Sequence, residues 1–290
     1  AREAYRLMLD ACLGMLELNT GYDRFLLYYD DEKNGHLDAC QLAEAYTYED
    51  FLNDLEDKNE REVLRFVRQA YDKSPALDHI INENEEIFNV ISACYFYLPD
   101  AASDKYMDTL GIAWGLDATL LSLLTEERWD TPYMEIARLK DGDYREERFS
   151  LTNIAKYEHG LELRQEWSRL GEQSLEEICP RCRFSEPFLS WYNGLDDTNR
   201  DRVRKKLKLA SDKAFQGGEP LFKTLEDADG MREIRFSAWP GGAIRVLFGA
   251  LPEQNQAILI GFIKKNSGKK YEKNIPRAKK EWETLRHLKK

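Results

Sequence analysis

Three strand-like segments in the last third of the 290-residue chain constrain its fold more than any other feature. They run from Met231 to Trp239, from Gly242 to Ala250 and from Gln256 to Lys264. Pro240-Gly241 separates the first pair of segments, and Leu251 to Asn255 separate the second pair. Both connections are short enough for antiparallel hairpins. The sequence therefore predicts an antiparallel sheet of at least three strands.

Two predicted helices precede this sheet and one follows it. Ser185-Glu186-Pro187 begins the first helix, because serine is a good N-cap and proline suits the first turn. Helical spacing of apolar residues predicts the second helix over Thr198 to Phe215 and the last over Ile275 to Leu288. The basic residues of the second helix are expected to point mostly outward: Arg202, Arg204, Lys205, Lys206 and Lys208. The order helix, helix, three strands, helix indicates an α+β domain.

The charge of the chain is divided near Cys179. From Cys179 to Lys290 there are 24 Lys and Arg against 14 Asp and Glu, a net charge of +10. The residues before Cys179 contain 18 basic and 39 acidic side chains, a net charge of −21. Such asymmetry is typical of a nucleic-acid-facing half joined to an acidic half. The alternative is that two domains differ only in their solvated surfaces. We expect two domains, residues 1–178 and 179–290.

The acidic half has mainly helical periodicity. The predicted helices are Arg2 to Leu18, Cys40 to Leu55, Glu60 to Tyr71, Ser103 to Ile112, Leu116 to Leu124 and Ile154 to Leu170. Phe25 to Tyr29 fits either a buried strand or a helical turn. The clear β signal is Tyr133 to Ser150, where Asp141-Gly142 is typical of a hairpin turn. Residues 1–178 are therefore predicted to be mainly α, with one small β element.

Several classes of protein are disfavoured by composition and motifs. No apolar stretch approaches the ~18 residues that cross a bilayer, and Ala1 to Asp10 lack the layout of a signal peptide. We therefore expect a cytoplasmic protein that does not bind membranes. The five cysteines are too scattered for a disulfide framework. Cys179-Pro-Arg-Cys182 has the spacing of half a zinc site, but no second half follows, so we expect neither a metal nor another cofactor.

Four strings in the basic half carry a family resemblance: REIRF (Arg232 to Phe236), AIRVLFGA (Ala243 to Ala250), ILIGFIKK (Ile258 to Lys265) and IPRAKKEW (Ile275 to Trp282). From Ser185 to the end, the chain resembles the HigB branch, the phage-derived Gp49-like proteins, of the RelE/ParE toxin superfamily. The resemblance implies a RelE-like α+β fold and an endoribonuclease that cleaves mRNA, usually on the ribosome, and is inhibited by an acidic antitoxin. ParE-like proteins share the fold but inhibit DNA gyrase, so the fold leaves the activity open.

Cleavage of RNA without a metal requires the ribose 2′-OH to attack its own phosphate. The site must then stabilise added negative charge, and arginine suits this task because its guanidinium stays charged and can bind two phosphate oxygens. Alternation places Ile234 and Phe236 on one face of the first strand and Arg235 on the other, with Arg245 in the facing strand. We expect both arginines to be either catalytic or simply solvated. We predict a catalytic set of Arg235, Arg245, Lys265 and Tyr271, with Tyr271 stacking or transferring a proton.

A basic loop after the third strand suits the tracking of an RNA backbone. Lys264 and Lys265 lead into Lys269, Lys270 and Tyr271, and an aromatic ring among lysines can stack on a base. The predicted RNA-binding residues are Arg232, Lys264, Lys269 and Lys270. The alternative is that lysine-rich loops of this kind are only solvated.

Three hypotheses remain for the two halves. In the first, the acidic half is a sensor: it binds a small-molecule ligand or a partner, or pairs two chains into a homodimer, and so controls the nuclease. Alternatively it is a built-in antitoxin or nucleic-acid mimic that covers the basic site, because opposite charges favour such docking at low salt. In the third alternative the toxin fold has lost catalysis and only binds RNA, the ribosome or gyrase.

Overall fold

The computed structural model of the protein describes most of the chain, and no described helix is long and apolar enough to cross a bilayer. The described residues are 1–18, 25–27, 40–72, 89, 91–99, 108–140, 142, 146–218, 221–264 and 269–287. The chain forms two compact units, residues 1–81 with 91–166 and residues 82–90 with 167–290. Residues 167–178, which were predicted to belong to the acidic half, therefore lie in the second unit.

The first unit is built around a mixed sheet. Its elements are α1 (Arg2–Leu18), β1 (Phe25–Leu27), β2 (Gln41–Ala43), β3 (Tyr46–Thr47), α2 (Tyr48–Asp57), α3 (Arg61–Asp72), β4 (Cys94–Tyr97), α4 (Asp108–Leu116), β5 (Thr119–Leu121), β6 (Tyr133–Lys140), β7 (Glu147–Ile154) and α5 (Tyr157–Glu172), which continues into the second unit. Five strands form one sheet in the order β1-β5-β7-β6-β4, while β2 and β3 pair separately. The prediction of one small β element was therefore wrong.

The Leu116 to Leu124 run shows why these strands were missed. Helix α4 ends at Leu116, Asp117 has a positive φ of 57°, and β5 follows at Thr119–Leu121. All three residues of β5 are buried, and the strand is parallel to both β1 and β7. A short strand that is buried on both faces has no polar alternation, so its sequence looks like that of a buried helix.

The predicted helix from Cys40 to Leu55 also begins later than expected. A two-stranded ribbon occupies its first part, and α2 begins after Thr47. The Thr47 side chain accepts a hydrogen bond from the Asp50 N–H at 3.1 Å, and the Asp50 carboxylate accepts one from the Thr47 N–H at 2.8 Å. This capping box fixes the start of the helix. The Tyr133 to Ser150 hairpin is present as predicted, with Gly142 at φ +75°.

The second unit has a five-stranded sheet with helices on both faces. Its elements after α5 are α6 (Leu175–Ile178), β8 (Cys182–Phe184), α7 (Glu186–Asn193), α8 (Asp197–Asp212), β9 (Phe222–Thr224), β10 (Arg232–Ser237), β11 (Ala243–Ala250), β12 (Gln256–Lys264) and α9 (Lys269–His287). The sheet order is β8-β12-β11-β10-β9. Strands β10, β11 and β12 lie in the three predicted segments, and the short strands β8 and β9 extend the sheet on either side.

Each face of this sheet has its own apolar core. On the first face, residues of α7 and α8 such as Phe188 and Val203 pack with Ile234 and Ile244. On the second face, α9 packs against β11 and β12, and the buried residues there include Ala278, Trp282, Leu247 and Leu259. The Trp282 Nε1–H also donates a hydrogen bond to the carbonyl oxygen of Ala250 at 2.9 Å. Helix α9 is thereby attached to the end of β11.

Helix α9 begins six residues before the predicted start at Ile275. Pro276 therefore lies inside the helix. Proline lacks an N–H and so removes one hydrogen bond from the helix. Ala278, Trp282 and Leu285 after it are buried in the core, so tertiary packing supports this part of the helix. Lys269, Lys270 and Tyr271 are therefore in the first turn of a helix and not in a loop.

Gly261 in β12 provides a test of the packing on the first face. A Cβ atom at this position would overlap the ring of Trp191 in α7. We expect Gly261→Ala to lower the free energy of unfolding by about 2 kcal/mol, because overpacking a close contact forces side chains to shift. Urea unfolding followed by tryptophan fluorescence measures this change. Gly171→Ala in α5 is the control, since a Cβ there meets no atom within 4 Å, and equal midpoints for the two variants would contradict the packing.

Candidate functional site

Arg235 and Arg245 face each other across two central strands. They are directly opposite in the antiparallel register of β10 and β11, so their side chains lie on the same face. Phe262 of β12 is opposite Arg245. Lys264 of β12 is opposite Ala243, which precedes Arg245 by two residues. This is the second face of the sheet, which also carries Leu247. The alternation predicted for Arg235 is therefore correct, and Lys264 shares its face.

The two arginines are buried, although they were expected to be catalytic or solvated on an open face. Arg235 is 8 % exposed and Arg245 is 1 % exposed. Between them lies Glu233, also 1 % exposed, whose Oε1 is 3.4 Å from Nε of Arg235 and 3.9 Å from Nε of Arg245. Glu233 precedes Arg235 by two residues and so projects from the same face of β10. A buried carboxylate beside two buried guanidinium groups compensates part of their desolvation cost.

A third arginine reaches this region from helix α8. Arg202 is buried, and its Nη1 lies 3.4 Å from Oγ of buried Ser237, two residues after Arg235. We call Arg202, Glu233, Arg235, Ser237 and Arg245 the arginine cluster. The expectation that Arg202 points outward was wrong. The sequence did not indicate that Arg202 is buried, because a charged residue next to the apolar stripe of Val203 and Leu207 is normally solvated.

The hairpin beside the cluster is fixed to α8 by Asn199. This buried side chain donates from Nδ2 to the carbonyl oxygen of Trp239 at 2.8 Å and accepts from the Trp239 N–H at 2.9 Å. Asp196 accepts a further hydrogen bond from the same amide at 2.8 Å. Sequence reasoning missed this contact. It holds the turn between β10 and β11 at the sheet end that also carries Ser237 and Lys264.

Arg232, predicted to bind RNA, lies apart from the arginine cluster. Its guanidinium is over the rings of Phe222 and Phe248, at 5.1 and 5.6 Å from their centroids. It donates hydrogen bonds to the carbonyl oxygens of Phe215, at 2.8 Å, and Gly217. Phe222 and Phe248 belong to the core of the first face. Partial burial lowers the pKa of Arg232. Its hydrogen bonds to Phe215 and Gly217 hold the loop that follows α8.

The remaining predicted site residues are placed only in part. Lys264 is half-buried at the end of β12. Lys265 lies outside the described residues, and Lys269, Lys270 and Tyr271 are assigned by backbone to the first turn of α9. The described geometry thus unites Arg235, Arg245 and Lys264 on one face. No three His, Cys, Asp or Glu side chains among the described residues are grouped in a way that could hold a metal ion.

His159 is a buried histidine of the first unit, and its contacts are structural. Its Nδ1 accepts a hydrogen bond from the Ala155 N–H at 3.3 Å, so Nε2 carries the proton and donates to Asp130 at 3.2 Å. Burial lowers the pKa of His159, although Asp130 opposes the shift. Lys156 also pairs with Asp130. The arrangement anchors the start of α5 and uses both ring nitrogens.

The buried carboxylate makes a testable contribution to the arginine cluster. We expect Glu233→Gln to lower the free energy of unfolding by about 3 kcal/mol, because it removes one partner of a buried charge pair and keeps its size. Glu226→Gln is the control, since Glu226 is exposed in the same unit, and its effect should stay within about 0.5 kcal/mol. Urea titration measures both. A Glu233→Gln variant as stable as the control would show that the carboxylate does not stabilise the cluster.

Comparison with known proteins gives a family match within the second unit. Residues 190–283 match the family model described as "Phage derived protein Gp49-like (DUF891)". This family is related to RelE/HigB-type toxins. No curated protein and no solved structure matches the chain. The matched segment begins in α7 and ends in α9, so it includes the whole arginine cluster, and residues 190–283 are similar to phage-derived Gp49-like proteins.

Proposed function

We propose that the second unit is a metal-independent endoribonuclease that cleaves mRNA and so inhibits translation. The observation that carries this proposal is the placement of Arg235, Arg245 and Lys264 on one face of a sheet within the Gp49-like segment. Fixed guanidinium groups stabilise the charge that develops on a phosphate when the 2′-OH attacks it. The relation of the matched family to RelE/HigB-type toxins supports the same reaction.

Burial divides the roles of the two strand arginines. Arg245 is almost fully buried, so we assign it to positioning: it helps Glu233 to orient Arg235 and adds positive potential. Arg235 is the more exposed of the pair, and Lys264 is half-buried on the same face. These two side chains are proposed to contact the scissile phosphate. Lys265 and Tyr271 remain the proposed groups for proton transfer, and Lys269 and Lys270 remain proposed RNA-binding residues.

Cleavage of a labelled RNA by the purified chain tests this chemistry. We expect cutting in the presence of EDTA, products with a 2′,3′-cyclic phosphate, and no cutting of an RNA with a 2′-deoxy substitution at the cleaved position. Ribosomes are added in a parallel reaction, because related toxins act there. Equal cleavage of the 2′-deoxy RNA would refute attack by the 2′-OH.

Variants at the rim of the cluster test the assigned residues. Arg235→Lys keeps the positive charge but loses the two-pronged guanidinium, and Lys264→Ala removes a charge. We expect each to lower the cleavage rate by about 100-fold, the usual effect of losing one charge-stabilising donor. Lys213→Ala, at the exposed far end of α8, removes a charge from the same unit and should cut normally. Circular dichroism checks folding, and wild-type rates in both rim variants would contradict the assignment.

A second candidate function is binding without catalysis. The specific observation in its favour is the near-complete burial of Arg245, together with the ion contacts of both arginines to Glu233. In that case the chain would bind RNA, the ribosome or gyrase and arrest growth without cutting RNA. The Arg235→Lys variant separates the candidates, because a binding protein would still arrest growth and would leave mRNA intact with or without the substitution, whereas an endoribonuclease would lose both cutting and arrest.

We further propose that the acidic half controls this activity. The charge contrast of −21 against +10 supports an inhibitory role, and a ligand-binding or dimerising role is the alternative. Two overlapping pieces, residues 1–172 and 157–290, test this because each retains the whole of α5. The second piece also keeps Leu175 and Ile178, which belong to the core of the second unit. Growth arrest by residues 157–290 that is relieved by residues 1–172 would support inhibition, and unrelieved arrest would favour a sensor.

A further inference from the structure

We propose that Cys179 and Cys182 form a thiol–disulfide pair, a modification site that is independent of RNA cleavage. Both cysteines are free thiols, and they lie in the turn between α6 and β8. The Cys182 N–H donates a hydrogen bond to the carbonyl oxygen of Cys179 at 2.9 Å. A turn closed in this way holds its first and last Cα atoms within about 7 Å, the range that a disulfide spans.

The two thiols also influence each other, because Cys179 raises the pKa of the Cys182 thiol. The Cys179 thiol donates a hydrogen bond to the carbonyl oxygen of Leu207 at 3.4 Å. Since the two residues close one hydrogen-bonded turn, formation of the disulfide requires rotation of their side chains. Cys182 begins β8, which pairs with β12, and the Gln256 N–H donates to the carbonyl oxygen of Arg181 at 2.9 Å. These contacts hold both ends of the turn in place.

Exposure determines the order of the reaction. Cys179 is fully buried, whereas Cys182 is partly exposed. The Cys182 thiolate attacks a small-molecule disulfide such as glutathione disulfide, which forms a mixed disulfide and releases one glutathione. Cys179 then attacks the Cys182 sulfur, closes the protein disulfide and releases the second glutathione. The two protein thiols are oxidised, glutathione disulfide is reduced to two thiols, and the two protons pass to the released glutathiones.

The local environment makes the Cys182 thiol slow to react at neutral pH. The hydrogen bond with Cys179 and burial raise the pKa of the Cys182 thiol, so little thiolate exists at neutral pH. The rate of oxidation should therefore rise about tenfold per pH unit between neutral and mildly alkaline pH.

Incubation of the full chain with glutathione disulfide, followed by tryptic digestion without reduction, tests the proposal. Trypsin cuts after Arg181, between the two cysteines, so the closed disulfide keeps two peptides linked that otherwise separate. We expect the linked pair, with a mass lower by two hydrogen atoms than the sum of the peptides. A Cys94→Ser variant should give the same product, because Cys94 lies in the first unit.

Two further variants separate the steps. Cys179→Ala should stop at a stable mixed disulfide between glutathione and Cys182, and Cys182→Ala should leave Cys179 unmodified. The wild-type digest remains decisive if either variant misfolds. The proposal is overturned if the wild-type chain keeps glutathione on Cys182, or if both thiols remain unmodified at alkaline pH. The RNA cleavage assay is unaffected by either outcome, so the two proposals fail independently.

Discussion

The ion contacts of Glu233 with Arg235 and Arg245 are the constraint on which the second unit depends. Charged groups taken out of water are costly unless they are paired, so β10 and β11 must align in the register that brings these side chains together. A slip of one residue in β10 would move Glu233 and Arg235 to the face of α7 and α8. Ile234 would leave its core at the same time. The apolar and the charged residues of β10 therefore specify the same register.

Burial also reduces the positive charge that this half presents at its surface. Arg202, Arg235 and Arg245 are inside the structure, and other arginines bind backbone: Nη1 of Arg204 donates to the carbonyl oxygens of Leu170, Gly171 and Gln173 near the end of α5. The described lysines of the second unit are all at least partly exposed. Guanidinium groups are weakly hydrated and have several fixed donors, so arginine is the cation that suits buried positions. The exposed positive charge of this unit comes from lysines such as Lys213 and Lys280 and from surface arginines such as Arg181 and Arg277.

The sequence predicted the second unit better than the first for a physical reason. Strands β10 to β12 are separated by short connections, and the alternation around Arg235 correctly identified its face. Exposure could not be predicted, because one strand does not reveal that its polar face is covered by other parts of the chain. In the first unit, β5 is short and buried, so its three residues carry neither alternation nor a turn signal of their own.

The same register also determines where a phosphate could reach the cluster. Arg245 lies in the middle strand and is covered, whereas Ser237, Ala243 and Lys264 are aligned at one end of the three strands. Arg202 reaches Ser237 at this end, and Asn199 holds the Trp239 hairpin there. The contacts of Arg202 and Asn199 therefore extend the cluster toward the β10–β11 turn. A charged substrate bound at this end would contact the side chains at the rim, while the buried guanidinium groups would add positive electrostatic potential. Such an interaction is stronger in a site with little water than in bulk solvent.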